Sequence, residues 1–420
     1  MITEKIKETI LVVSLNIFEP ENDKVMLRGR FSDSINTYKD MWSFLEPLFT
    51  KVVFYDYSNN IGQANGFAKV NNDIIKLVET EKPKFVLYYG MDENRLAKET
   101  YERVRELGAQ TIGMFVDDET SFDASSKLMI PYMDFIFTFD SETSVEKYRK
   151  HGAKAVFLPS GASTAKFHKL ENKKYLYDVS FVGVKKYDRE KAVEYIESQG
   201  IHVETFGSGW ANGYVPDGEI NNIYNSSRIN LNFTKSLHEK QKHFKWRTVE
   251  VPLSGGFLLT EDIPGLEKHF DVEKEISVFY SLGECCEKIK YFLAHEEERE
   301  EIAKNGWERA MAEYTWEAKF RQMFELILYS GDVRNTKHDN LRLENIDYKR
   351  RLGRKLIYAM CFYMELGRCE QVENYLNQID SLDFSDSRAK VVSCVIRHFP
   401  ESVGKKIIRM CYKAYYGNRG

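Results

Sequence analysis

Unbroken apolar runs recur along the chain until about residue 330. The first six are ILVVSLNIF (10–18), KVVFYDYS (51–58), KFVLYYG (84–90), TIGMFVDD (111–118), FIFTFD (135–140) and AVFLPSG (155–161), rich in Val, Ile, Phe and Tyr. They do not alternate with polar residues, which is how strands buried on both faces read. Helical patterns separate them, such as ENRLAKETYERVRELG (93–108), which ends on a glycine suited to a helix cap. Repeated strand–helix–strand units predict a parallel sheet with helices on both faces.

The stretch PSGASTAKFHKLENKKYLYD (159–178) is mixed, polar and lysine-rich, and reads as a hinge. The alternation then restarts with VSFVG (179–183), VETFG (203–207), RINLNF (228–233), GFLLTE (256–261) and ISVFY (276–280), and the helical patterns 283–314 and 315–330 close it. Two Rossmann-like, doubly wound α/β domains are therefore expected, over residues 1–165 and 175–332, facing a cleft. From about 333 the strands stop. Four helical patterns between 348 and 416 predict a helical extension over 333–420, either a tetratricopeptide-type pairing or a cap on the second domain.

Composition narrows the function classes. The chain has 420 residues, 43% hydrophobic and 30% charged, with a net charge of -4. Nothing in that balance points to nucleic acid. The apolar runs fall far short of the roughly 20 residues a bilayer crossing needs. All six cysteines lie beyond residue 284 with no zinc-site or disulfide spacing, which suggests reduced thiols and a cytoplasmic protein. Neither half carries G-x-G-x-x-G after its first strand, which argues against a plain NAD enzyme. The basic, tyrosine-interleaved segment 404–420 suits an anionic membrane surface, but suits the exposed side of a terminal helix better.

The pieces TIGMFVDDETSF (111–122), DFIFTFDSETSVEKYRKHGAKAVFLPSGAS (134–163), DVSFVGVKKYDRE (178–190), IYNSSRINLNFT (223–234), KWRTVEVPLSGGFLLTED (245–262) and HEEEREEIAKNGWERAMAEYTWEAKF (295–320) occur in an order and spacing that resemble the CgeB-type (spore maturation protein-like) glycosyltransferases. The resemblance covers roughly residues 80 to 330. It implies the GT-B fold and transfer of a sugar from a nucleotide-diphosphate donor, UDP-sugar by default. It implies further that Glu250 takes the ribose hydroxyls and Arg247, one turn earlier, faces the diphosphate.

The residues themselves support a donor site in the second half. A diphosphate needs cationic side chains or helix-start amides, and open α/β sheets bind ligands beyond the carboxyl ends of their strands. Gly183 ends a strand and is followed by Lys185, Lys186 and Arg189. Glycine lets phosphate approach the backbone and the cations offset its charge. The alternative is that the lysines are solvated and Arg189 caps its own helix. His243 and Lys245 precede Arg247, and the amides of 243–245 are expected to open its helix, although Pro252 must shorten or kink it. An Arg–Glu pair on a solvated helix is the competing reading of 247 and 250. Gly207 and Asn232 are placed on the nucleobase side by position. Gly255 and Gly256 are expected to turn the chain into the following strand.

On the acceptor side, Asp117 and Asp118 follow a strand and could deprotonate an acceptor hydroxyl, or else cap a helix. Asp140 reads as a cap, and His168 as structural. No D-x-D stands at a strand end, so no essential metal is expected. A glycosyltransferase acting on an unidentified glycan or protein acceptor is the leading expectation. A sugar-nucleotide epimerase and a non-catalytic glycan- or protein-binding module are the alternatives.

Overall fold

The computed structural model describes residues 2–14, 37–57, 66–89, 96–116, 118, 122, 126–235 and 242–335. Asp117 and the four helical patterns of the C-terminal extension lie outside the described residues.

Six parallel strands form the first sheet: β1 (Ile6–Ser14), β2 (Phe49–Asp56), β3 (Phe85–Tyr89), β4 (Gln110–Phe115), β5 (Phe135–Thr138) and β6 (Val156–Phe157), in the order β2-β1-β3-β4-β5-β6. Helices α1 (Gly66–Glu81), α2 (Lys98–Glu106) and α3 (Glu142–Lys150) connect them. The run in β1 is continuous because both faces are covered. Ile10 and Val12 join a core with Trp42, Phe49 and Phe85, while Leu11 and Val13 join another with Ile74, Tyr101 and Val104.

The second sheet holds β7 (Tyr177–Val182), β8 (Glu204–Phe206), β9 (Ser227–Asn232), β10 (Leu258–Glu261) and β11 (Ser277–Phe279), in the order β11-β10-β9-β7-β8, again parallel. Its helices are α4 (Tyr187–Ser198), α5 (Asp217–Ser226), α6 (Arg247–Leu253), α7 (Leu282–Ala294) and α8 (Glu296–Glu313). Strand order reverses between β7 and β9, so their carboxyl ends flank a topological switch point. That is where sheets of this kind open a ligand crevice.

One element crosses over. Helix α9 (Trp316–Tyr329), expected to close the second domain, packs on the first sheet. Its stripe Trp316, Phe320, Met323, Phe324 and Ile327 has helical spacing and is buried in the β1 core. Phe324 meets Phe49 and Phe85 edge-on, with ring centroids 4.7 and 5.4 Å apart. The periodicity marked a buried stripe without saying which sheet would receive it.

The segment read as a hinge is one of two crossings between the domains, and the two run side by side. Ala162 donates its amide to Tyr314 O at 2.9 Å, and Trp316 returns one to Ala162 O at 3.2 Å. A Cβ on Gly161 would lie 2.9 Å from the Trp316 backbone, so only glycine permits this approach. Among the described residues no helix is long and apolar enough to cross a membrane.

Candidate functional site

The site is built at the switch point. Strand β7 delivers Phe181 and, one residue past its end, Gly183; strand β9 delivers Asn232, and α6 begins with Arg247. Asn232 is fully buried, and its Oδ1 accepts the Arg247 Nε–H at 3.1 Å. Its amide nitrogen donates to Thr248 Oγ1 at 3.2 Å and Thr260 Oγ1 at 3.0 Å. Those contacts leave the amide one orientation, so Asn232 aims the guanidinium. The expected place of Asn232 along the nucleobase thus becomes a place behind Arg247, because all its polar atoms are used within the protein.

The Arg247 guanidinium lies over the Phe181 ring, 5.2 Å from its centroid, and that of Arg189 lies over the same ring at 5.5 Å. Arg189 is buried, with Nη1 donating to Val184 O at 2.9 Å. A Cβ on Gly183 would meet the Nη1 atoms of Arg247 and Arg189 at 2.9 and 3.4 Å. Glycine at 183 therefore keeps open the ground between two cations. Burial draws the Arg247 pKa down, opposed by Tyr224 and Glu250, yet an arginine stays charged at neutral pH.

His243 shows how strong the local field is. Burial first, then the charges of Lys245, Lys186, Arg189 and Arg247, lower its pKa to about 3. The imidazole is neutral, and its Nε2 faces the Lys245 ammonium, which assigns the proton to Nδ1. That buried Nδ1 and the buried Arg247 Nη2 find no hydrogen-bond partner among the described residues. Two buried N–H donors without acceptors, inside a ring of cations, suit a multiply charged oxyanion.

Other expected residues take different places. Lys185 turns aside to Glu190 at 2.7 Å and lies over the Trp210 ring at 5.3 Å. Lys186 precedes α4 and contributes to the field on His243. Gly207 has φ +121°, and a Cβ there would sit 2.4 Å from Gly183 O, so it shapes the wall. Glu250 is half-buried, one helical turn past Trp246, and accepts from the Tyr224 hydroxyl at 3.3 Å. The amides of 243 and 244 do not open the helix: His243 donates to Thr234 O at 3.2 Å and Phe244 to Asp140 O at 3.0 Å. Helix α6 starts only at Arg247 and holds seven residues with Pro252 inside. It ends in a Schellman cap: Gly255, at φ +71°, donates to Pro252 O at 2.8 Å, and Gly256 donates to Val251 O at 3.0 Å.

On the first domain, Asp118 is fully buried rather than facing the cleft. Its Oδ2 accepts from Thr138 at 2.6 Å and Tyr148 at 2.8 Å, and burial raises its pKa. It therefore secures α3 to β5 and is not presented to an acceptor hydroxyl. Ser141, not Asp140, caps α3, accepting from the Ser144 amide. His168 has a backbone role, exchanging hydrogen bonds with Asn221 and Asn225. The place of Phe181 under two guanidinium groups has no signal in the sequence, where an aromatic inside an apolar run reads as core.

Substituting Asn232→Asp tests the aiming role. A carboxylate beside Arg247 would cancel part of the site's charge, so affinity for a multiply charged oxyanion such as pyrophosphate should fall about tenfold, or about 1.4 kcal/mol. Unchanged affinity would detach Asn232 from the site.

Comparisons with known proteins bear on the fold and on the second half of the chain. Residues 189–325 match the family model described as Glycosyl transferase-like. No curated protein sequence matches the chain. Among solved structures, Anabaena Alr3699/HepE in complex with UDP and glucose is similar at TM-score 0.50 and 10% identity, covering 76% of this chain and 99% of that one. A glycosyltransferase from Rickettsia africae ESF-5 is similar at TM-score 0.50 and 10% identity, covering 77% and 100%. Two parallel, doubly wound sheets and these likenesses give the chain the GT-B fold, with a glycosyl transferase-like segment in its second domain.

Proposed function

We propose that the protein is a glycosyltransferase that takes a hexose from a nucleotide-diphosphate donor, UDP-hexose first, to an acceptor hydroxyl. One observation carries the reading: Arg189 and Arg247 converge on Phe181 and Gly183 at the switch point, beside donors of His243 and Arg247 that find no partner among the described residues. The glycosyl transferase-like match spans these arginines, and the Anabaena neighbour's structure holds UDP and glucose. The quoted segments of both halves resemble the CgeB-type enzymes, and that resemblance supports the same reading.

The chemistry follows from the charges. As the sugar leaves, negative charge grows on the diphosphate. Fixed cations in a low-dielectric crevice stabilise that charge without reorganising. Arg189, Arg247, Lys186 and Lys245 supply it with no metal in this scheme. Glu250 receives ribose hydroxyls. Asp117 carries the acceptor-side base role, since Asp118 is enclosed. The buried, free thiols of Cys285 and Cys286 suit a cytoplasmic setting.

Calorimetric titration with UDP and with GDP tests the donor site. Micromolar binding of one of them is expected. His243 should contribute proton uptake on binding at acid pH, between about 3 and its ordinary 6.5. Burial is the larger cause of its lowered pKa and the cations come next; an anion opposes only the cations' share, so the pKa rises part of the way. Titrations in buffers of different ionisation enthalpy read this uptake, and His243→Gln should abolish it. Binding of neither nucleotide to folded protein would overturn the donor reading.

A further inference from the structure

We propose that Trp246 is the platform for a hexose ring, stacking its indole on the apolar face of the sugar. The inference rests on the donor-site reading above and extends it past the diphosphate. Trp246 is 44% exposed, although it stands directly before the buried cluster. It is held in place: its ring meets Trp316 nearly edge-on, at 6.2 Å and 73°. Trp316 is itself packed against Phe139 and Phe320 in the first-domain core. The indole thus belongs to the donor helix and is braced by the opposite domain. It sits where the two halves of the molecule meet.

Helix geometry supplies the second part. Glu250 donates its amide to Trp246 O at 2.9 Å, so the two residues lie one turn apart and share a helix face. A carboxylate beside a fixed aromatic face suits carbohydrate: the carboxylate takes hydroxyls, and the ring takes the C–H face. Glu250 is assigned to the ribose. The indole lies one turn nearer the helix start and on the first-domain side, and so serves the next ring along, which is either the donor hexose or an acceptor hexose.

The test reads the indole N–H signals of the full chain labelled with 15N-tryptophan, five in all. The Trp246 signal is identified by its loss in Trp246→Phe. Titrants are UDP, then UDP-glucose, UDP-galactose and UDP-N-acetylglucosamine, then methyl hexosides added on top of UDP. A shift of the Trp246 signal with a UDP-hexose beyond that with UDP assigns the ring to the donor. A shift only with a hexoside over UDP assigns it to the acceptor. In either case Trp246→Ala should weaken the responding sugar ligand more than fivefold and UDP less than twofold. If UDP binds and no sugar moves the Trp246 signal, the platform is refuted while the donor site stands. If GDP binds in place of UDP, the same series is run with GDP and GDP-hexoses; if neither nucleotide binds, the donor reading fails and the platform falls with it.

Discussion

Replacing Arg247 with Ala is expected to weaken UDP binding about a hundredfold, or about 2.7 kcal/mol. The guanidinium is aimed by Asn232, laid over Phe181 and half-buried, so little of its charge is spent on solvent. Its Nη2 has no partner among the described residues until an oxyanion arrives. Charge-assisted hydrogen bonds made under such shielding are about twice as strong as neutral ones. Arg247→Lys should recover part of the loss, because a lysine restores the charge but neither the planar stack nor the fork. Calorimetry on all three proteins, with thermal melts to show that each is folded, gives the answer. Equal affinities would remove Arg247 from the site.

Gly207→Ala should lower stability by about 3 kcal/mol, combining backbone strain at positive φ with overpacking. The residue holds φ +121°, which side chains rarely adopt, and the new methyl would fall 2.4 Å from Gly183 O. That carbonyl cannot yield freely, since it accepts the Trp210 indole N–H at 2.8 Å. Relief would push the Gly183 turn toward the two arginines, so nucleotide binding should weaken along with the melting temperature. A melt within about 2 °C of the parent would show that the β7–β8 corner relaxes at little cost.

Much of the fold was legible in the sequence. Among the described residues, each of the eleven strands falls on an apolar run read from the sequence, because strands covered on both faces have no room for polar interruptions. The clustering of cations at the switch point was legible as well: glycine at a strand end, with cations on the following turn and on the helix beyond β9, is local information. Asp118 was not. Its carboxylate follows a strand as a catalytic group would, and only the packing of Tyr148 and Thr138, 30 and 20 residues away, encloses it. The role of Asn232 was hidden for the same reason, since its partners lie on β10 and α6. The destination of α9 depends on two crossings meeting at Gly161, a contact of high sequence separation.

The return of α9 also bears on how the chain is made. Residues emerge in order, and domains generally fold as they appear. Here the first sheet completes one of its cores with Trp316, Phe320, Met323 and Phe324, which leave the ribosome only after the whole second domain. Until then Phe49, Phe85 and their neighbours present an uncovered aromatic face to solvent. A fragment ending at the first crossing would carry that face permanently and should aggregate. The N-terminal half is therefore an unfinished unit, closed by the last described helix, and the two halves reach their native state together.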